Sequence, residues 1–198
     1  MKQFRFNAVS VAADTDGLAD GVTAATSMVL AANNSGDNLA HEITVKGVGG
    51  TDHSGKTITV TGTDANGGAL VHTMAGPNGT ATVTTTGVFF LTVTSIDFDA
   101  TAGASTFDAG WNANSVTGYE SFSNNAEAGF SIGFGVDVVA GSPNYTVQHT
   151  YGGTWFDHPS ITGETTTQQG GYTQPILAMR LKFSAAGSAL LSGVTNPS

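Results

Sequence analysis

Between residues 43 and 96 the chain repeats one pattern: short runs rich in threonine, valine and isoleucine, almost free of charge, cut by glycine-containing turns. ITVKGV, KTITVTGT, ALVHTMA, TATVTTT and VFFLTVTSI place apolar residues at alternate positions, the period of a strand with one buried face. β-branched side chains fit a pleated surface and lose rotamer freedom in a helix. The breaks carry turn chemistry. In Asp64-Ala65-Asn66-Gly67-Gly68, Asn and Gly tolerate positive φ, as a hairpin requires. In Gly76-Pro77-Asn78-Gly79, proline presets φ and glycine supplies the left-handed position. The segment predicts an antiparallel all-β protein.

The same reading extends, more loosely, to both ends. FRFNAVSVAA (4–13) predicts a half-buried strand, DTDGLADG (14–21) a turn-rich stretch, and VTAATSMVLAANN (22–34) extended chain ending in the NNSGDN turn. Residues 100–112 read as a strand remnant or linker. A second block opens near Val116. FSIGFGVDVVA (130–140) sets Phe130, Ile132, Phe134, Val136 and Val138 on one face, and these are expected in the core. Gly141-Ser142-Pro143-Asn144 reads as a turn before YTVQHTY; PILAMRLKFS and SALLSGV close the block as two strands. Many short strands with Gly, Pro and Asn turns suggest sandwiches or barrels. The expected architecture is two small antiparallel β-sandwich domains in tandem, residues 1–110 with an N-terminal strand or arm and residues 111–198, with a single larger β-domain as the alternative.

Charge narrows the partners. Only 11% of the 198 residues are charged, against roughly 25% in an ordinary globular domain. A surface of Thr, Ser, Asn and Gly is poorly defended against association, which suits faces buried against neighbours and equally a soluble β-domain with an uncharged skin. The net charge is −9, and the 6 basic residues, Lys2, Arg5, Lys46, Lys56, Arg180 and Lys182, are scattered. Nucleic-acid binding needs clustered cations to release counterions from phosphates, so nucleic acid is not an expected partner. There is no cysteine, which excludes disulfides, thiolate metal sites and a cysteine nucleophile. The first residues lack the apolar run of a signal peptide. No stretch approaches the roughly 20 apolar residues of a membrane span.

The motifs are weak. Gly50-Thr51-Asp52-His53-Ser54-Gly55-Lys56-Thr57 matches G-x-x-x-x-G-K-[ST], a phosphate-binding loop, but that loop works only where it opens a helix. Here Ile58-Thr59-Val60 follows, a strand expected to pair as a hairpin with the one before it. His41, His53, His72, His149 and His158 show no helical zinc spacing and read as structural. Asp14, Asp16 and Asp20 lack the remaining ligands of a calcium loop. Asp97, Asp99 and Asp108 read as solvated turns. No G-x-S-x-G elbow is present. Glu42, Glu120, Glu127 and Glu164 would form a glycosidase pair only by tertiary placement. Trp111 and the Trp155-Phe156 pair read first as plugs at sheet ends and second as interface anchors. No catalytic, cofactor-binding or metal-binding residue is assigned, and the chain is expected to be neither an enzyme nor cofactor-dependent.

Two phrases carry a family resemblance. ITVTGTDANGGALVHTMAGPNGT with TTTGVFFLTVTSI, and NYTVQHTYGGTWFDHPSITGETTTQQGGYTQPILAMRLKFSAAGSA, together cover over half the chain. They resemble virion structural proteins of tailed bacteriophages, with Tyr151-Gly152-Gly153 shorter and less acidic than that pattern. The resemblance implies a particle component made in the host cytoplasm, and most simply a decoration (cement) protein on the capsid exterior. It would bridge major capsid protein subunits, form homo-oligomers, and use unpaired edge strands to extend sheets between subunits. A tail tube, adaptor or fibre-attachment component is the alternative, and a module binding host-surface glycan is a further one.

Overall fold

The computed structural model describes residues 2–122 and 130–195. It is all-β: among the described residues there are thirteen strands, paired in mainly antiparallel ladders, and no helix. The chain divides into two compact units, Ala12–Ser115 and, together, Met1–Val11 with Val116–Ser198.

In the Ala12–Ser115 unit, β3 (Ala40–Gly47) lies between β6 (Thr82–Phe90) and β8 (Thr106–Val116), and β8 also pairs with β2 (Asp14–Thr23). A second sheet of three strands runs β5 (Ala69–Ala75), β4 (Thr57–Thr63), β7 (Thr92–Phe98). The β4–β5 turn is the expected hairpin. The Asp64 carboxylate accepts from the amides of Asn66 and Gly68 at 2.8 Å each, and Gly67 sits at φ 82°. Ile58, Val60, Val93 and Ile96 are buried, and the Phe98 ring lies 4.8 Å from Phe107 of β8.

Two expectations fail in this unit, and an open one is decided. Residues 14–21 are a strand, not a turn: Asp14 pairs with Trp111 and Ala19 with Ala109, through two register shifts that absorb the glycines. Of the two readings of residues 100–112, strand remnant or linker, the strand holds from 106 on, where Phe107, Ala109 and Trp111 form a buried strand face. β3 and β4 are not a hairpin: β3 pairs with β6 and β4 with β5 and β7, so the loop between them changes sheets.

The other unit is built on two long strands. β10 (Ile132–Thr150) and β13 (Ala178–Thr195) pair from end to end. β1 (Lys2–Ser10) pairs along the final half of β13, although sequence order groups it with the first block. β9 (Glu120–Ser121) flanks the start of β13, while β11 (Trp155–Asp157) and β12 (Gln168–Tyr172) lie along β10. Ile132, Phe134 and Val136 are buried as expected, while Phe130 and Val138 are only half-buried. The predicted turn at 141–144 is instead a corner within one strand. Gly141 (φ 71°) faces Gly187 (φ 152°), the ladder shifts register there, and a Cβ on Gly187 would lie 2.6 Å from the Pro143 nitrogen. Both strands bend together because each has a glycine where they turn.

Candidate functional site

Adjacent residues of a strand point to opposite faces, and the β10–β11 hairpin uses this to carry aromatic rings on both. Its ladder pairs Gln148 with Asp157, His149 with Phe156 and Thr150 with Trp155. The tight tip is held by the Thr150 hydroxyl, which donates to the Thr154 carbonyl at 2.6 Å and accepts from the Gly152 amide at 2.9 Å. Gly152 and Gly153 occupy positive φ of 120° and 84°.

On one face a file of rings runs from the core outward. Phe134, 5% exposed, stacks on Tyr172 at 5.6 Å; Tyr172 meets His149 at 5.0 Å; His149 meets Tyr151 at 5.3 Å and Phe156 at 6.0 Å. The file ends in solvent, with Tyr151 at 51% and Phe156 at 47% exposure. Its polar atoms are used internally. The Tyr172 hydroxyl and His149 Nδ1 lie 3.1 Å apart, and the Ser160 amide donates to His158 Nδ1 at 3.2 Å. Burial lowers the pKa of both His149 and His158, and for His149 the neighbouring His158 adds to the effect. Burial pushes the Tyr172 phenol up. These shifts favour neutral rings that pack.

On the opposite face the Arg180 guanidinium lies 4.2 Å from the centre of the Trp155 ring, and Tyr119 approaches that ring at 5.8 Å. Arg180 Nε donates to Gln148 Oε1 at 2.9 Å, and Gln148 Nε2 donates to Asp157 at 2.8 Å. Burial brings Arg180 down to about 10, partly opposed by Asp157. A fixed guanidinium on an indole is a cation–π contact. With Tyr119 at 45% and Leu177 at 40% exposure, the tip presents four large exposed side chains on a rigid base. That is the make-up of an interface anchor: aromatic rings whose ordering cost is met before a partner arrives.

The remaining sequence candidates are dispersed. Thr57 of the G-x-x-x-x-G-K-T stretch begins β4, so no helix N-terminus faces that loop. His53 within it turns inward, 4% exposed, against Phe107 at 5.1 Å. His41 is buried between Asp37 Oδ2 at 2.8 Å and the Asn112 carbonyl at 3.1 Å. Burial alone would raise the Asp37 carboxyl; hydrogen bonds from His41, Ser35 and the Leu39 amide overcome it and hold the group at about 2. Glu42 accepts from the Gly87 amide, Asn112 and Asn114. Asp108 accepts from the Gly21 amide and Asp97 from Ser95; Glu120 pairs with Lys2, and Glu164 accepts from Gln168. Asp14 hydrogen-bonds to Asp16 and raises its pKa. Glu127 lies outside the described residues. No three His, Asp or Glu side chains gather into a metal-holding group among the described residues. Trp111 is buried as a plug would be, 8% exposed and donating to the Ala12 carbonyl at 3.1 Å, but it lies within β8 and not in a loop between strands, whereas Trp155-Phe156 forms part of the exposed tip. A shallow trough of ≈ 630 Å³ over Gly133, Gly135 and Gly193 is bordered by Arg5, Asp137 and Gln169, all solvated, with no reactive pair among them.

No protein family and no curated protein matches the sequence. Among solved structures, an allantoicase aligns over 81% of this chain and 73% of its own at 10% identity and a TM-score of 0.26, a likeness too slight to carry an argument.

Proposed function

We propose that the chain is a structural, non-enzymatic protein of a tailed-bacteriophage virion: a head decoration (cement) protein of two small β-sandwich domains in tandem. It binds the capsid exterior, bridges major capsid protein subunits and associates with its own copies. The observation that carries this reading is the β10–β11 tip, where Tyr151 and Phe156 stand half-exposed at the end of a file packed down to Phe134. Such rings offer large apolar area at little further entropy cost. The sparsely charged, threonine-rich surface and the virion-like phrases at 43–96 and 144–184 support the same reading. The mechanism is mass action: a protein that binds the assembled shell and not its separated parts shifts the equilibrium toward the shell. Scattered basic residues argue against nucleic acid as partner, and no described helix is long and apolar enough to cross a membrane.

Quantitative mass spectrometry of purified particles tests the reading. Copies comparable in number to the major capsid protein are expected. A few copies per particle would move the chain to the tail, and absence from particles would end the structural reading. The exposed rings of Tyr119, Tyr151 and Phe156 also favour a second reading, stacking on host-surface glycan, which binding on a glycan array would support and silence there would oppose.

A further inference from the structure

The β5–β4–β7 sheet has two edges, and the fold treats them differently. The β7 edge is covered by residues 26–33: Met28 donates to the Ile96 carbonyl at 3.0 Å, Phe98 to the Thr26 carbonyl at 2.7 Å, and Val93 to the Asn33 carbonyl at 2.8 Å. The β5 edge is hydrogen-bonded to β4 on one side and to no strand on the other, although β6 passes near β5 without pairing with it. Bare edges are ordinarily defended by lysine, proline, a bulge or a covering loop. The sequence of β5, ALVHTMA, contains neither proline nor a charged residue, and its register with β4 runs without a bulge.

The direction of its backbone groups follows from the ladder. Asp64 donates to the Gly68 carbonyl and Gly76 to the Lys56 carbonyl. Alternation between these two ends makes Leu70, His72 and Met74 the residues bonded to Gly62, Val60 and Ile58 of β4. The amides and carbonyls of Ala69, Val71, Thr73 and Ala75 therefore point outward, and none has a partner among the described residues. These four positions are symmetric about His72. Leu70, His72 and Met74 share a face with the buried Ile58 and Val60 but are themselves half-buried, so the core-facing side is incomplete at this edge. Val71, on the other face, is 61% exposed.

We propose that β5 is a self-pairing seam, through which two copies of the chain join antiparallel about a two-fold axis at His72 and fuse their three-stranded sheets into one. Val71 then exchanges hydrogen bonds with Thr73 of the second copy, and Ala69 with Ala75. Leu70 lies beside Met74 of the second copy, and the two His72 rings face each other. A strand that is its own complement is what an isologous interface requires, and strand addition draws its affinity from the main chain. The inference stands on edge geometry and is independent of the virion reading, since it concerns the purified chain alone.

Sedimentation of the purified protein across its soluble concentration range tests the seam, and dimer is expected. Val71→Lys/Thr73→Lys puts lysines directly opposite each other across the seam while changing only exposed side chains. It is expected to sediment as monomer with an unaltered thermal transition. The absence of native cysteine allows a test of register. Facing residues of a non-hydrogen-bonded pair have Cα atoms about 4.5 Å apart, within disulfide reach. His72→Cys should therefore form a covalent dimer on mild oxidation. Val71→Cys should not, because its two copies lie on a diagonal of roughly 7–8 Å. A wild-type monomer at all concentrations would overturn the proposal. So would a dimer that survives the double lysine change, or cross-linking of Val71→Cys as readily as His72→Cys.

Discussion

Two clusters use the same ingredient, a strand histidine beside an aromatic ring, to opposite ends. Around His41 the cluster is closed: Asp37 and His41 are 2% and 1% exposed, and Glu42 is held by three donors. Around His149 it is open, with neutral rings leading from Phe134 to Tyr151 and Phe156 in solvent. A closed polar cluster cannot be left half-satisfied, because each stranded group incurs its full desolvation cost. It therefore specifies one structure and leaves nothing to bind with. An open file of rings is tolerant at its outer end and rigid at its inner end, which suits a surface that grips.

Breaking the inner end of the open file should do the most harm. Ile132→Asp with Phe134→Asp places two charges in a core where both side chains are at most 5% exposed, and circular dichroism should show that this unit no longer folds. Next comes the closed cluster. Asp37→Ala leaves His41, Ser35 and the Leu39 amide without their acceptor, and a denaturant melt should show a loss of about 1–3 kcal/mol; no loss would mean the cluster is not closed.

Acid should then separate the two clusters by pH. Lowered folded-state values for His149 and His158, against an ordinary 6.5, mean that the unfolded chain takes up protons more readily. Their contribution is full above 6.5 and is lost as pH falls below it. Asp37, held at about 2 against an ordinary 3.8, contributes fully above 3.8 and loses that contribution as pH falls through about 2. The two tryptophans report separately: Trp155 fluorescence should change at milder acidity than Trp111 fluorescence, read in Trp111→Phe and Trp155→Phe variants. Simultaneous change would erase the distinction. The smallest effect belongs to the outer end, where Phe156→Ser should alter stability by no more than about 1 kcal/mol.

The parts of this fold legible in sequence are those fixed by local chemistry. Asp64, Asn66 and Gly67 specify their hairpin unaided, and alternation from Ile132 to Val136 gave the buried face. β2 was hidden because three aspartates and two glycines occupy a strand whose pairing is irregular. β8 is only half legible, as a strand remnant or a linker, because glycine and asparagines dilute the Phe107–Ala109–Trp111 stripe. Gly141 reads as a chain reversal in sequence because a left-handed glycine serves a turn and a corner equally well; only its mate, Gly187, distinguishes them. The Trp155-Phe156 pair is visible in sequence, but its exposure depends on the His149 ring beside Phe156 and the Arg180 guanidinium over Trp155, which only strand pairing brings there.

The central claim is that the outer end of the aromatic file grips the shell. It is tested most directly by binding purified wild type and Tyr151→Ser/Phe156→Ser to purified particles lacking the protein, with bound copies counted by mass spectrometry. The account predicts that wild type coats the particles and that the variant, equally folded by its thermal transition, stays in solution. A variant that coats them as fully as wild type would contradict it.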